Sequence, residues 1–441
     1  MSDPHPTIDE NFAAKNARSL RIVLTTLGSL GDLHPYIAVA LVLKSLGHRP
    51  AIATSMLYRE KIEALGIDFF PIRPEFPAPE ENRELIDYFM HASKGPERII
   101  REWVMPYFRD AYTDIDVAAQ GSDLLLSHPL TFGTRIVAEH RGLPWASSVL
   151  APISFMSAYD VSLVPLAGIR FFRKLGPTFV GSLMGVGQWG IRRWFEPVHR
   201  LRMELGLPPN PHPLFAGQHS PELALAMYSE VLGSPQRDWP KSALITGFAF
   251  YDKHKGNHLS PELSAFLDAG PPPIVFTLGS SAVINPGAFY GESAKAAEKL
   301  GRRAVLLVGP EVLKTTPLDL SERVVAFDYA PYSELFPRAA AIVHQGGVGT
   351  TGQALRSGRP TLIVPFAHDQ PDNADRVQKL GVSRTLARHR YTSDRAVAEL
   401  KPLLEVPSYA AKAMEVGRKV QAEHGAERAA EALVALGLRR D

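Results

Sequence analysis

The stretch AAIVHQGGVGTTGQALRSG (340–358) decides the fold. A short apolar run of strand length leads into Gly346, Gly347 and Gly349, and a helical pattern opens at Thr350–Thr351. A helix N-terminus presents unpaired N–H groups and a partial positive charge, and glycines let that backbone approach an anion closely. His344 and the hydroxyls of Thr350 and Thr351 add donors beside it. The pattern is that of a diphosphate cradle needing neither lysine nor an obligatory metal. Two other readings fit the same letters. Gly347-x-Gly349-x-x-Gly352 satisfies the dinucleotide fingerprint GxGxxG, with an acid, Asp369, beyond the next strand. That fingerprint normally follows the first strand of its domain, whereas this loop follows the fourth strand of its series. Alternatively, the glycines do no more than turn and cap the chain.

Around the loop, strands and helices alternate. PIVFTLGSS (273–281), a helix near 287–300, RAVLLVG (303–309) and RVVAFDY (323–329) precede it, and PTLIVPF (360–366) comes after it. A similar series opens the chain, with RIVLTT (21–26), the turn LGSLGD, a helix over 35–47, RPAIAT (49–54), a helix near 57–65, DLLLSH (123–128), a helix through 131–141 and PWASSVL (144–150). Alternation of this kind implies α/β domains with parallel sheets covered by helices. Thr26-Leu27-Gly28-Ser29 recurs as Thr277-Leu278-Gly279-Ser280, each after the first strand of its series, so two similar halves are expected. Polar, proline-containing sequence over 236–258 separates them, giving domains at 1–236 and 237–415 and a helical tail over 416–441. Two parallel sheets facing each other put the carboxyl ends of their strands on one cleft, where ligands of such sheets bind.

Composition narrows the partners. Across 441 residues, 48 Lys plus Arg face 46 Asp plus Glu, a formal charge of +2, which argues against nucleic acid. The absence of cysteine removes disulfides, thiolate zinc sites, Fe–S clusters and cysteine nucleophiles together. The N-terminus carries Asp3, Asp9 and Glu10 and no apolar core of a signal peptide. The uncharged run LGPTFVGSLMGVGQWGI (175–191) is too short for a bilayer span and is broken by Pro177 and by glycines. A soluble, cytoplasmic protein is expected. Asp114-Ile115-Asp116 has the form of a metal-binding D-x-D but lies in a helical, solvated stretch, so no metal site is assigned.

VPFAHDQPDN (364–373) delivers His368, Asp369, Gln370 and Asn373 at a strand end. Carboxylate and amide side by side suit the vicinal hydroxyls of a sugar, and the same letters also suit a plain loop with a helix cap at Asp372 or Asn373.

VHQGGVGTT, followed some twenty residues on by VPFAHDQPDNADRV, resembles the donor signature of family 1 glycosyltransferases of the bacterial macrolide, sterol and natural-product type. GSLGDLHPYIAVALVLKSLGH (28–48) resembles the N-terminal signature of the same group. The resemblance covers both ends of the chain in order, and 70–240 matches only in outline. It implies the GT-B fold, two Rossmann-like parallel-sheet domains facing across a cleft, with 416–441 crossing back to the first. It implies inverting, metal-independent transfer of a hexose, glucose or a deoxyhexose such as rhamnose, from a UDP- or dTDP-sugar. The acceptor would be a hydroxyl of a small lipophilic molecule of flavonoid, polyketide or sterol type.

By the same resemblance Asp32 is the general base, with His128 as a candidate partner, although an Asp at that position also suits a helix N-cap before Pro35. His344, Gly346, Gly347, Gly349 and Thr350 hold the diphosphate, and Gly279, Ser280 and Ser281 close on it. Tyr329, Ala330 and Pro331 receive the nucleobase, and Asp369 with Gln370 binds sugar hydroxyls. Gly352 and Gln353 stand where plant-type relatives keep a Glu for the ribose, which leaves UDP and dTDP both open. No cofactor is expected beyond the nucleotide-sugar co-substrate. Aromatic residues over 84–112 and 153–195 suit an acceptor wall or ordinary packing. The basic-bounded apolar segment 170–193 also suits peripheral membrane contact. Two other functions remain open, an NAD(P) oxidoreductase using the 347–352 loop and a non-catalytic nucleotide-sugar-binding protein. The intact Asp32 speaks against the second.

Overall fold

The structure, a computed structural model, describes residues 18–76, 82–164, 169–252, 258–310, 313 and 320–440. Seven parallel strands form the first sheet: β1 (Arg21–Thr25), β2 (Arg49–Thr54), β3 (Asp68–Pro71), β4 (Leu124–Ser127), β5 (Trp145–Val149), β6 (Ala224–Ala226) and β7 (Ala243–Ile245), in the order β3-β2-β1-β4-β5-β6-β7. The second holds β8 (Ile274–Thr277), β9 (Ala304–Leu307), β10 (Val324–Phe327), β11 (Ala341–His344), β12 (Thr361–Ile363) and β13 (Ser383–Thr385), in the order β10-β9-β8-β11-β12-β13. Central strands such as β4 and β8 are buried along their whole length, as helices on both faces require. Each sheet reverses its winding beside its first strand, at β1/β4 and at β8/β11.

Helices that wall the crevice, join the lobes or form an outlying surface are α1 (Leu30–Ser45), α2 (Ile169–Phe172), α3 (Pro177–Ile191), α4 (Val348–Arg356), α5 (Gln370–Lys379), α6 (Pro407–Gln421) and α7 (Gly425–Gly437). The two-lobed α/β architecture expected from the sequence is present. Its boundaries differ. β7 belongs to the first sheet, so the break expected at 236 falls one strand early; Ala243–Ile245 is too short and too mixed in character to stand out as a strand. Part of the expected linker, 253–257, lies outside the described residues. At the other end, α6 packs on α4 in the second lobe, with Ala413, Val416 and Val420 clustered with Leu355. It is α7 that crosses back, so the crossing begins after Gln421 rather than at 416. Ala429, Ala430, Leu433 and Val434 of α7 are buried with Leu24, Leu33 and Ile37 of the first lobe.

A buried ionic cluster ties the lobes at a second point. The Arg376 guanidinium on α5 donates to Asp372 (2.7 Å), to the Leu232 carbonyl (3.0 Å), to Ser162 Oγ (3.2 Å) and to Asp160. The Leu163 N–H donates to Asp372 at 2.7 Å. Asp372 is fully buried and Arg376 nearly so, so each needs the other to offset its desolvation.

Leu433→Ala should destabilise the protein by about 2–5 kcal/mol, the usual cost of emptying a fully buried leucine site, measurable by denaturant titration.

Candidate active site

In the first lobe the chain leaves β1 through Thr26-Leu27-Gly28-Ser29 and enters α1. Ser29, not Asp32, is the N-cap; its Oγ accepts from the Gly31 N–H at 3.2 Å. Asp32 is the third helical residue, and its Oδ2 accepts from the Ser29 N–H at 2.8 Å, closing a capping box. Gly28 has φ +132°, and a Cβ there would lie 2.3 Å from Asp32 Oδ2, so this approach is open to glycine alone. The other carboxylate oxygen, Oδ1, stands 3.5 Å from His128 Nε2, at the end of β4. His128 Nδ1 accepts from the Leu130 N–H, which assigns the ring proton to Nε2 and aims it at Asp32. His128 is buried, whereas the Asp32 side chain is 35% exposed. In the neutral imidazole both nitrogens are then occupied, and the carboxylate keeps the free lone pairs.

In the second lobe α4 opens at Val348, and its cap, Gly347, supplies no side-chain hydrogen bond. The first-turn N–H groups are therefore left for a ligand. Thr350 lies on the first turn, and Gly279 and Ser280, after β8, face it. The side chain of Ser281 lies outside the described residues.

His344 has its Nε2 buried without a protein partner. It is completely buried, its Nδ1 accepts from the Gly346 N–H at 3.1 Å, and burial pushes the imidazole down to about 3, so it is neutral at physiological pH. The neighbouring Gln345, just past β11, lies against the first turn of α4. Its Nε2 lies 3.4 Å from Thr350 Oγ1, and its Oε1 is buried without a protein partner. A Cβ on Gly279, φ +65°, would fall 2.2 Å from that amide nitrogen.

Between the lobes lies a cavity of about 450 Å³. Leu30, Gly31, His34 and Pro35 at the start of α1 wall one side, and Val348, Gly349, Thr350 and Gln353 of α4 the other. Tyr329, Ala330 and Pro331 line it too, with Tyr329 about half exposed and therefore open to stacking. The two helix N-termini thus open onto one crevice. At the Gln353 end stands Asp252, which sequence reasoning missed because it lies in an aperiodic linker. Its carboxylate accepts from Gln353 Nε2 at 3.2 Å and pairs with Arg356 at 2.7 Å, and these bonds outweigh burial to hold its pKa below the usual range.

The 364–373 segment reaches the crevice less directly. Gln370 Oε1 accepts from the N–H groups of Phe366 and Ala367, and Asn373 Nδ2 donates to the Gly346 carbonyl and to Asp369 Oδ2. Gln370 and Asn373 therefore brace the two donor-side loops against each other, and neither Asp372 nor Asn373 caps a helix; Asp369 holds the cap position without a side-chain bond to a helix N–H. Burial pushes the Asp369 carboxyl up to about 7, Asn373 opposing it and the nearby charge of Asp32 adding to it. His368 feels the same charge, holds φ +57° although it is not glycine, and packs its ring against Gly95 of the other lobe. Asp114 and Asp116 sit on a helix surface, each paired with an arginine, Arg73 and Arg141, and no metal-ligating cluster exists among the described residues.

Two parallel-sheet lobes whose helix N-termini wall one crevice, with a carboxylate–histidine pair beside it, define a GT-B protein. The first lobe matches the glycosyltransferase family 28 N-terminal domain over residues 22–158. The second matches the erythromycin biosynthesis protein CIII-like C-terminal domain over 310–436. O-mycaminosyltylonolide 6-deoxyallosyltransferase of Streptomyces fradiae is 33% identical over 426 residues, 93% of this chain and 96% of that enzyme. A sterol 3-beta-glucosyltransferase of Aspergillus terreus is 28% identical across 97% of this chain, which spans only 31% of that enzyme's length. Among solved structures, the kitacinnamycin glycotransferase superposes with a TM-score of 0.67 at 22% identity, covering 95% of this chain and 99% of the other. Glycosyltransferase VinC, solved with dTDP, superposes at 0.65 and 20% identity, covering 95% and 100%. The chain belongs to the family 1 glycosyltransferases.

Gln345→Ala should weaken UDP or dTDP binding about 10-fold or more, since a hydrogen bond to a charged group is worth about 1.5–3 kcal/mol, and calorimetric titration reads the change. Asp369 is protonated in the empty protein below about pH 7, while the unfolded residue ionises near 3.8. Stability attributable to it is therefore complete below the lower value and falls as pH rises toward the upper one. Asp369→Asn should raise the melting temperature relative to wild type at pH 8, with the gain shrinking toward pH 4.

Proposed function

We propose that the protein transfers a hexose from a UDP- or dTDP-sugar to a hydroxyl of a small lipophilic acceptor, in one inverting displacement that needs no metal. The observation that carries this reading is the Asp32–His128 pair standing beside a crevice that the uncapped N-terminus of α4 also walls. Asp32 accepts the acceptor's hydroxyl proton as its oxygen attacks the anomeric carbon. His128, its Nε2 3.5 Å from Oδ1, stands beside the carboxylate and favours its charged form when the ring is protonated. The bond to the diphosphate breaks on the opposite face, and the charge that grows there meets the N–H groups of Val348 and Gly349, the Thr350 and Ser280 hydroxyls and the Gln345 amide. Tyr329 takes the nucleobase, and Asp252 with Gln353 lies where the ribose hydroxyls would fall.

The relatives support the chemical class. One is named for transfer of a 6-deoxyhexose to a macrolide, another for glucosylation of a sterol, and a structural neighbour was solved with dTDP. An oxidoreductase is disfavoured because the glycine loop lies on the fourth strand of its sheet's series, facing a carboxylate–histidine pair.

Incubation with a panel of UDP- and dTDP-sugars against sterol, polyketide and flavonoid acceptors, read by product mass and anomeric coupling, tests the reading. Thermal protection by NAD and not by UDP or dTDP would count against it. Asp32→Asn should lower kcat about 10²- to 10⁴-fold, the usual reach of a general base, while nucleotide affinity stays within about twofold. Added EDTA should leave turnover unchanged.

A further inference from the structure

α2 and α3 form an outlying surface that the proposed chemistry does not use. α3 contains no charged residue and fully buries only Val180; Leu183, Met184 and Ile191 are partly buried and its other large apolar side chains are exposed. Phe179, Val186 and Trp189 fall on one face of it by their spacing and are 45%, 67% and 66% exposed; Phe171 of α2 is 62% exposed beside them. None of these residues lines the cavity between the lobes. A contiguous apolar patch of this kind is unusual on a monomer and marks a surface that something covers.

Charge decides what covers it. From Ile169 to Phe195 there is no acidic residue, against Arg170, Arg173, Lys174, Arg192 and Arg193, in a chain whose total is only +2. Arg173 is committed elsewhere, to Asp375 on α5 at 2.8 Å. Lys174, Arg192 and Arg193 flank the two ends of α3, and the Arg192 guanidinium lies 5.0 Å from the Trp189 ring. No helix among the described residues is long and apolar enough to cross a membrane. An uncharged helix with aromatic side chains on its exposed face and cations at both ends is the profile of one lying in the plane of a membrane interface.

We propose that α2–α3 docks the protein on the surface of an anionic bilayer, with Phe171, Phe179 and Trp189 among the acyl–headgroup boundary and Lys174, Arg192 and Arg193 on lipid phosphates. A second copy is a poor occupant, because a symmetric pairing would set like cations against each other. The inference is independent of the donor and acceptor proposed above.

The test is co-sedimentation of the full chain with vesicles of phosphatidylcholine alone and of phosphatidylcholine with about one-third phosphatidylglycerol. The expected result is pelleting with the anionic vesicles, weakened by salt, and lost in Phe179→Ser/Trp189→Ser. Lys174→Gln/Arg193→Gln, which leaves the apolar face intact, should lower partitioning about 25-fold, roughly fivefold per cation removed. Melting temperature and nucleotide affinity should stay at wild-type values in both variants. Absence of pelleting with either vesicle, or equal pelleting of wild type and variants, would overturn the proposal. So would concentration-dependent self-association, seen by sedimentation velocity and abolished by the serine variant, without vesicle binding.

Discussion

Both halves of the site depend on a backbone coming closer to a polar side chain than any Cβ allows. At Gly28 the obstructed atom would be the Asp32 carboxylate, and at Gly279 the Gln345 amide. These glycines are the third residues of the repeated tetrapeptide Thr-Leu-Gly-Ser, each just past the first strand of its sheet. The repeat therefore marks a shared mechanical solution. In each lobe the chain turns sharply through a positive φ, and the group it frees lies against the turn instead of projecting from it. Asp32, held by its own loop, and Gln345, held by the loop after β8, lose little freedom when substrate arrives, and that preorganisation is what a proton acceptor and a phosphate ligand require.

Topology brings these turns together. In each sheet the strand order reverses beside the first strand, and the residues that matter come from the two strands flanking the reversal. Asp32 follows β1 and His128 ends β4; Gly279 follows β8 and Gln345 follows β11. Each lobe thus supplies a crevice at its switch point, and the crevices coincide only if the lobes are held face to face. α7, buried on the first lobe, and the Arg376 cluster, reaching back from α5, provide two separate ties. α5 begins at Gln370, immediately beyond Asp369, so the tie is anchored next to the donor-side loop.

The repeating strand and helix pattern made the two-lobed architecture legible, because fully buried parallel strands appear as uninterrupted apolar runs. Glycine clusters with a strand before and a helix after them marked where ligand meets backbone. What stayed hidden was carried by orientation and distance. His344 and Gln345 are adjacent letters, and only the fold shows that the Gln345 amide lies against Gly279 and Thr350. Asp32 occupies a position where a helix cap also fits the sequence; in the fold it both closes the capping box and exposes its second oxygen to His128. β7 and Asp252 were missed because three-residue strands and linker acids have no periodic context.

The neutrality of His344 changes how the leaving group must be handled. A protonated histidine there would place a fixed cation beside the diphosphate, but the buried ring is neutral, and the groups that face the cradle are N–H dipoles, hydroxyls and an amide. The nucleoside diphosphate released by glycosyl transfer carries more negative charge than the sugar nucleotide that entered. A fixed cation in a low-dielectric crevice would favour that product over the donor by the full Coulombic difference. Neutral dipoles lower the barrier while charge is developing and leave a smaller preference afterwards.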